Sequence, residues 1–337
     1  MIAGQASAFP ADYARKLDQT LQFLQGAERF LVVSHVQPDG DAISSTLVTG
    51  WILRQLGKEV VMMNEGAIPA RLDFLENASA VINWSKLQPA ADSYNRIIAV
   101  DCADFRRIGL VSGLFAEGAE LLNIDHHPTN DAFGLVNLIR TDAAATVEIL
   151  YDLIIHAGLT LDYEAATAIY TGLLTDTGGF RYSNTSPYVM QVASQMLAHG
   201  IEGHCIADRL LERMTKPQLL LLQRALSRLT FSEDNRIAWL YIAYGDMAET
   251  GAVGDDLEGL VNYALNVEGV EAGILFKETM EGHVKVSMRS AGLADVAAIA
   301  KSFGGGGHVR AAGCQLDGPM PDTMKTVVNA VREALAK

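Results

Sequence analysis

Cysteine, long apolar runs and clustered positive charge are what this 337-residue chain has least of. Its three cysteines, Cys102, Cys205 and Cys314, are widely spaced and form no C-x-x-C pair. A scattered, odd-numbered set excludes a disulfide framework and a cysteine-ligated structural zinc, and it fits a reducing cytoplasm. No stretch approaches the ~20 apolar residues of a membrane span. Met1 to Pro10 has neither the basic start nor the apolar run of a secretory signal. The expectation is a cytoplasmic protein without a membrane partner. Formal net charge is −14, with no Lys/Arg-rich block. Gripping long nucleic acid takes a basic track that releases counterions. Long duplexes are therefore excluded as partners, and any nucleic acid handled is short, held by metals and a few local arginines.

What is present reads as two domains, since the length exceeds one ordinary core. In the first half, apolar strands at 30–35, 60–63, 96–101 and 120–125 alternate with helical spacing at 12–26, 42–57, 145–157, 163–174 and 187–199. That alternation predicts a parallel sheet with helices on both faces. Helical segments at 204–213 and 216–230 follow. Strands at 237–243, 271–277 and 283–289, with helices near 257–266, 294–302 and 321–336, then predict a smaller α/β domain. The expected fold class is α/β: a parallel-sheet domain over 1–200, a helical connector over 201–230 and a smaller domain over 231–337.

The strands of the first half end in unusual residues. One runs into His35-Val-Gln-Pro-Asp39-Gly-Asp41, the next ends at Asp101, and a third runs into Asp125-His126-His127; Asp176 ends a predicted helix. The carboxyl ends of parallel strands share one edge, where ligands bind. Asp41 alone reads equally well as a helix N-cap, but the whole set would need four separate coincidences. Mixed carboxylate and imidazole donors suit Mn²⁺, with Mg²⁺, Co²⁺ and Zn²⁺ compatible. Two cations about 3.5–4 Å apart can neutralise a phosphodiester and stabilise both its attacking and its leaving oxygen.

These motifs resemble those of the DHH phosphoesterase superfamily, named for the triplet that here is Asp125-His126-His127. The C-terminal Phe303-Gly-Gly-Gly-Gly-His308-Val-Arg-Ala-Ala-Gly313 is similar to the glycine-rich signature of the DHHA1 domain. The likeness covers nearly the whole chain and sits closest to the stand-alone nanoRNase/pAp phosphatase group. It implies one ion held by His35, Asp39 and Asp101 and another by Asp41, Asp101, His126 and Asp176, with Asp101 as the bridge. It further implies that His127 faces the substrate phosphate or leaving oxygen, that Asp125 orients an imidazole, and that His308 meets a terminal phosphate.

Gly305, Gly306 and Gly307 let backbone amides approach an anion without side-chain clash, although a flexible turn reads equally well. Arg289, at a predicted strand end, and Arg106, soon after Asp101, are the basic candidates for substrate. His156, His199, His204 and His283 lie outside every motif and read as ordinary surface or helix-end residues. The Leu219–Leu222 run fits core or interface packing, which leaves a homodimer open. The expected activity is a two-ion, Mn²⁺-dependent phosphodiesterase that degrades very short oligoribonucleotides to mononucleotides and also dephosphorylates 3′-phosphoadenosine 5′-phosphate. The alternatives are a pApA-preferring phosphodiesterase and, in another class, a non-catalytic nucleotide-binding regulator. A pyrophosphatase is disfavoured by the glycine-rich C-terminus, and a long-strand exonuclease by the acidic surface.

Overall fold

The computed structural model describes residues 9–86, 93–280 and 282–336. Most of the segment read for a secretory signal, residues 1–8, lies outside the described residues. The chain divides into two compact units, Met1–Arg213 and Met214–Lys337.

In the first unit, helix α1 (Ala11–Gln25) leads into strand β1 (Arg29–Val33) and helix α2 (Gly40–Gln55). Strands β2 (Glu59–Asn64), β3 (Val81–Asn83), β4 (Tyr94–Val100), β5 (Phe115–Asp125) and β6 (Val136–Ile139) follow. Then come helices α3 (Thr146–His156), α4 (Tyr163–Asp176), α5 (Pro187–Ala198) and α6 (Gly203–Ala207). The strands form one sheet in the order β3-β2-β1-β4-β5-β6, and every pairing is parallel. The order reverses between β1 and β4, so their carboxyl ends frame a crevice at the switch point.

The two-residue period of β1 sends its side chains to two cores. Phe30 and Val32 join Trp51, Ile149 and Ile169 from the helices, whereas Leu31 and Val33 join Ile97, Ile108 and Val111. Burying each such side chain stabilises by about 1.5–3 kcal/mol. The second core is closed mainly by a 3₁₀ run, Phe105–Leu114, which sequence spacing did not reveal. Helix α4 starts under Asp162, whose carboxylate accepts from Ala165 N at 3.0 Å and from Trp51 Nε1 at 2.9 Å, tying it to α2.

The second unit opens with α7 (Lys216–Leu226), capped by Thr215, and β7 (Thr230–Phe231). It continues through β8 (Ile237–Ile242), α8 (Asp246–Thr250), α9 (Asn262–Leu265), β9 (Ala272–Met280) and β10 (His283–Ser290). Helix α10 (Val296–Ser302), strands β11 (Gly306–His308) and β12 (Ala311–Asp317), and α11 (Met320–Leu335) complete it. Its sheet runs β11-β12-β10-β9-β8-β7, antiparallel except between β8 and β9. One core packs α10 and α11 on this sheet and another packs α7 and α9. The α/β class and the smaller second unit match the sequence reading. The helix expected at 257–266 is shorter, because Gly259 at φ 78° separates a 3₁₀ turn from α9.

Candidate metal centre

Asp39 and Asp41 sit at the start of α2, and they divide the work the sequence left open. Asp39, not Asp41, is the N-cap of α2, accepting from Ala42 N at 3.1 Å. Asp41, with no exposure to solvent, caps a different helix. Its two oxygens accept from Thr146 N at 2.7 Å and Val147 N at 3.2 Å, the first amides of α3. Helix α3 follows Ala145, which has no capping side chain, so Asp41 supplies the acceptor and meets the positive end of the helix dipole. Two glycines permit the approach: a Cβ on Gly40 would lie 2.4 Å from Thr175, and one on Gly172 would lie 2.9 Å from Asp41 Oδ1. Asp176, the last residue of α4, thereby reaches the same crevice.

Asp101 follows β4 with φ 57°, a left-handed conformation costly for a residue other than glycine. Its two carboxylate oxygens face opposite ways. Oδ2 lies 3.5 Å from His35 Nε2, while Oδ1 lies 3.6 Å from His126 Nε2 and accepts from Thr146 Oγ1 at 3.1 Å. His35 Nε2 is also 3.8 Å from Asp39, and His126 Nε2 is 3.3 Å from Asp176. Three groupings of potential ligand atoms result: His35 with Asp39 and Asp101; Asp41 with His126 and Asp176; and Asp101 with both His126 and His127.

The tautomers are fixed by neighbours. His126 Nδ1 lies 3.2 Å from the carbonyl of Ala143, which can only accept, so Nδ1 carries the proton and Nε2 turns into the crevice. His127 Nδ1 donates to Asp125 at 2.7 Å. Asp125 is fully buried and also accepts from Asn130, which donates in turn to the Cys102 carbonyl.

Electrostatics show what the cluster needs. Burial, then the charges of Asp101 and Asp39, drives the Asp41 carboxyl well above the ordinary range against the two amide hydrogen bonds. Burial with the charges of Asp41, Asp39, Asp101 and Asp125 does the same to Asp176. Burial alone would also raise Asp101, but the His35 hydrogen bond and the charges of His35, His126 and His127 hold it below that range. Burial would lower His127, yet its bond to Asp125 and the charges of Asp101 and Asp125 raise it. Carboxylates that must otherwise take up protons, gathered around the imidazole nitrogens of His35 and His126, are the environment into which divalent cations fit.

The remaining sequence candidates fall elsewhere. Arg106 is exposed at the start of the 3₁₀ run; it is Arg107 whose charge acts on His127 and Cys102. In the second unit the glycine run passes from a turn at Gly304 into edge strand β11, with Gly306, Gly307 and His308 paired to Gly313, Ala312 and Ala311. Gly305 and Gly307 are demanded by contact with β12, where a Cβ would meet Gly313 O at 2.1 Å or Ala311 O at 2.5 Å; Gly306 faces open space. His308 and Arg289 both lie opposite Ala311, on one face of the sheet. Signals for Thr146, Ala143 and Asn130 were absent from the sequence, because each acts through backbone geometry or a distant partner.

Comparison with known proteins agrees with this geometry. A model of the DHH family, N-terminal domain, matches residues 29–173, and one of the DHHA1 domain matches residues 235–337. The chain is 36% identical over 328 residues, 96% of each protein, to the bifunctional oligoribonuclease and PAP phosphatase NrnA of Thermus thermophilus. It is 26% identical to the protein of that name from Bacillus subtilis, over 84% of this chain and 87% of the relative. An exopolyphosphatase-related protein from Bacteroides fragilis superposes with a TM-score of 0.88 at 25% identity, covering 98% of this chain and 99% of that one. Full-length identity, both domain matches and the clustered Asp–His motifs together make this chain a member of the DHH–DHHA1 family of phosphoesterases, alongside the NrnA proteins.

Proposed function

We propose that this protein is a two-ion phosphodiesterase that degrades very short oligoribonucleotides to mononucleotides and dephosphorylates 3′-phosphoadenosine 5′-phosphate. The single observation that carries the reading is Asp101, a buried carboxylate whose two oxygens look into two separate ligand clusters. The names of the relatives supply the substrate class.

In this reading His35, Asp39 and Asp101 hold one divalent cation, and Asp101, Asp41, His126 and Asp176 hold another, most naturally Mn²⁺. Such a pair supplies charge neutralisation at the phosphate and an activated water. The protein does the rest. Asp101 fixes the spacing between the clusters, and its strained backbone holds both oxygens in place. Asp125 orients His127 through Nδ1, so that Nε2 donates a proton to the departing ribose oxygen. Asp125 is buried, hydrogen-bonded to His127 and Asn130, and acts on the substrate only through His127. In the second unit His308, Arg289 and the glycine run at Gly306 and Gly307 are the candidates for a terminal phosphate; the Gly305 amide is not, because it already donates to Ala300 O at 2.8 Å. Arg106 contributes charge in the first unit. Among the described residues no helix is long and apolar enough to cross a membrane, in keeping with a cytoplasmic enzyme.

The test is turnover of pAp, pApA and RNAs of two to ten nucleotides with Mn²⁺. Mononucleotide release should be fastest on the shortest chains, with phosphate released from pAp. Absence of turnover on every dinucleotide, or equal rates at all lengths, overturns the assignment.

A further inference from the structure

Behind the crevice lies a polar cluster that the chemistry above does not use. Arg140 forks between two carboxylates, donating through one nitrogen to Glu148 and through another to Asp152. Glu148 and Asp152 are 2% and 0% exposed. Asp152 also accepts from Tyr13 Oη at 2.8 Å and Tyr188 Oη at 2.5 Å, and the Arg140 guanidinium lies 5.7 Å from each of these two rings. Elements from both ends of the first unit thus converge on one side chain.

The segment that follows Arg140 is what the cluster pins. Arg140 N donates to Asp125 O at 3.2 Å, Ala143 N donates back to Arg140 O at 3.1 Å, and Ala144 N donates to Glu148 at 2.8 Å. From this short segment and the first turn of α3 come contacts to His126, to Asp41 and to the Asp101 oxygen that faces them, Oδ1. Ala143 O accepts from His126 Nδ1; Thr146 N and Val147 N donate to Asp41; Thr146 Oγ1 donates to Asp101. Asn184 completes the set, donating to Ala144 O at 3.2 Å and Asp176 O at 3.1 Å. Among the described residues, no hydrogen bond runs from this segment to His35 or Asp39.

We propose that Arg140 is a positioning residue for one ion site only, the Asp41–His126–Asp176 cluster, which it holds in register through residues 140–147. The inference rests on the two-ion reading above. A planar guanidinium can hold two buried carboxylates in a fixed fork, which a lysine ammonium cannot reproduce. Loss of the fork frees the segment to shift, and the cluster loses its geometry while the His35–Asp39 side keeps its own.

The experiment is a calorimetric Mn²⁺ titration of the metal-free, full-length chain, held well below its melting temperature. Wild type should show two binding events, and Asp39→Ala identifies which belongs to the His35 side. Arg140→Lys should weaken the other event by about 10–100-fold, the usual effect of losing a partner behind a ligand, and leave the His35-side event within about two-fold. Two unchanged events, or equal weakening of both, overturns the proposal, because a general loosening would not choose between sites. If Arg140→Lys does not fold, Glu148→Gln is read instead, with the same selective loss expected. A single event in wild type contradicts the two-ion reading itself, and the proposal falls with it.

Discussion

At the scale of single residues, the crevice is a place where negative charge is concentrated beyond what protein groups neutralise. Asp41 and Asp176 are pushed to high pKa by burial and by the charges of neighbouring carboxylates, so the metal-free folded state binds more protons than the unfolded chain. Stability from such groups is present at low pH and is lost as pH rises through their raised folded-state values. Divalent cations compete with those protons. The rise in melting temperature on adding Mn²⁺ should therefore be larger at about pH 8 than at about pH 5.5, as scanning calorimetry can measure. An equal or smaller rise at the higher pH contradicts this balance. The sequence placed these carboxylates on a shared sheet edge but could not divide their tasks. Asp39 and Asp41 both read as caps or ligands, and only the tertiary contact to Thr146 and Val147 shows that Asp41 caps a helix 105 residues away.

At the scale of elements, long periodic segments were legible and short ones were not. Strands β1, β2, β4 and β5 were read from apolar runs, whereas β3 and β6, of three and four residues, carry too little pattern to stand out. The 3₁₀ run Phe105–Leu114 was missed because Gly109, at φ 71°, breaks any helical period within it. Helix approach is likewise invisible in a sequence, since Gly172 matters for what lies opposite it. A Cβ there would sit 2.7 Å from Val147 and 2.9 Å from Asp41 Oδ1, groups with no room to move. Gly50 makes an instructive contrast, because its added Cβ would meet the flexible Met62 Sδ at 2.6 Å. Gly172→Ala should cost about 1–3 kcal/mol of stability by overpacking and depress phosphodiesterase activity by moving Asp41. Gly50→Ala should leave activity near wild type. Denaturant midpoints and turnover of a dinucleotide report both, and an active, stable Gly172→Ala protein would show that α2 and α4 need not meet so closely.

At the scale of the whole molecule, a net charge of −14 selects for small ligands, and specificity must come from a few cations in defined places. Arg289, which lies with His308 at one level of the second sheet, is the place we propose. Arg289→Ala should raise KM for a 5′-phosphorylated dinucleotide by about 10–100-fold, the worth of a hydrogen bond to a charged group. It should not alter KM for the same dinucleotide lacking that phosphate. An unchanged KM for both removes Arg289 from substrate binding. The two-unit organisation and the glycine signature were visible in the sequence; that Gly306 and Gly307 form an edge strand packed on β12 was not, because a run of glycines carries no side-chain period.

The central claim is that two cations share Asp101. Anomalous diffraction at the manganese edge, from crystals soaked in Mn²⁺, tests it most directly. The account predicts two peaks about 3.5–4 Å apart, both in contact with Asp101, one beside His35 and Asp39 and the other beside Asp41, His126 and Asp176. A single peak, or a pair in which only one ion touches Asp101, contradicts it.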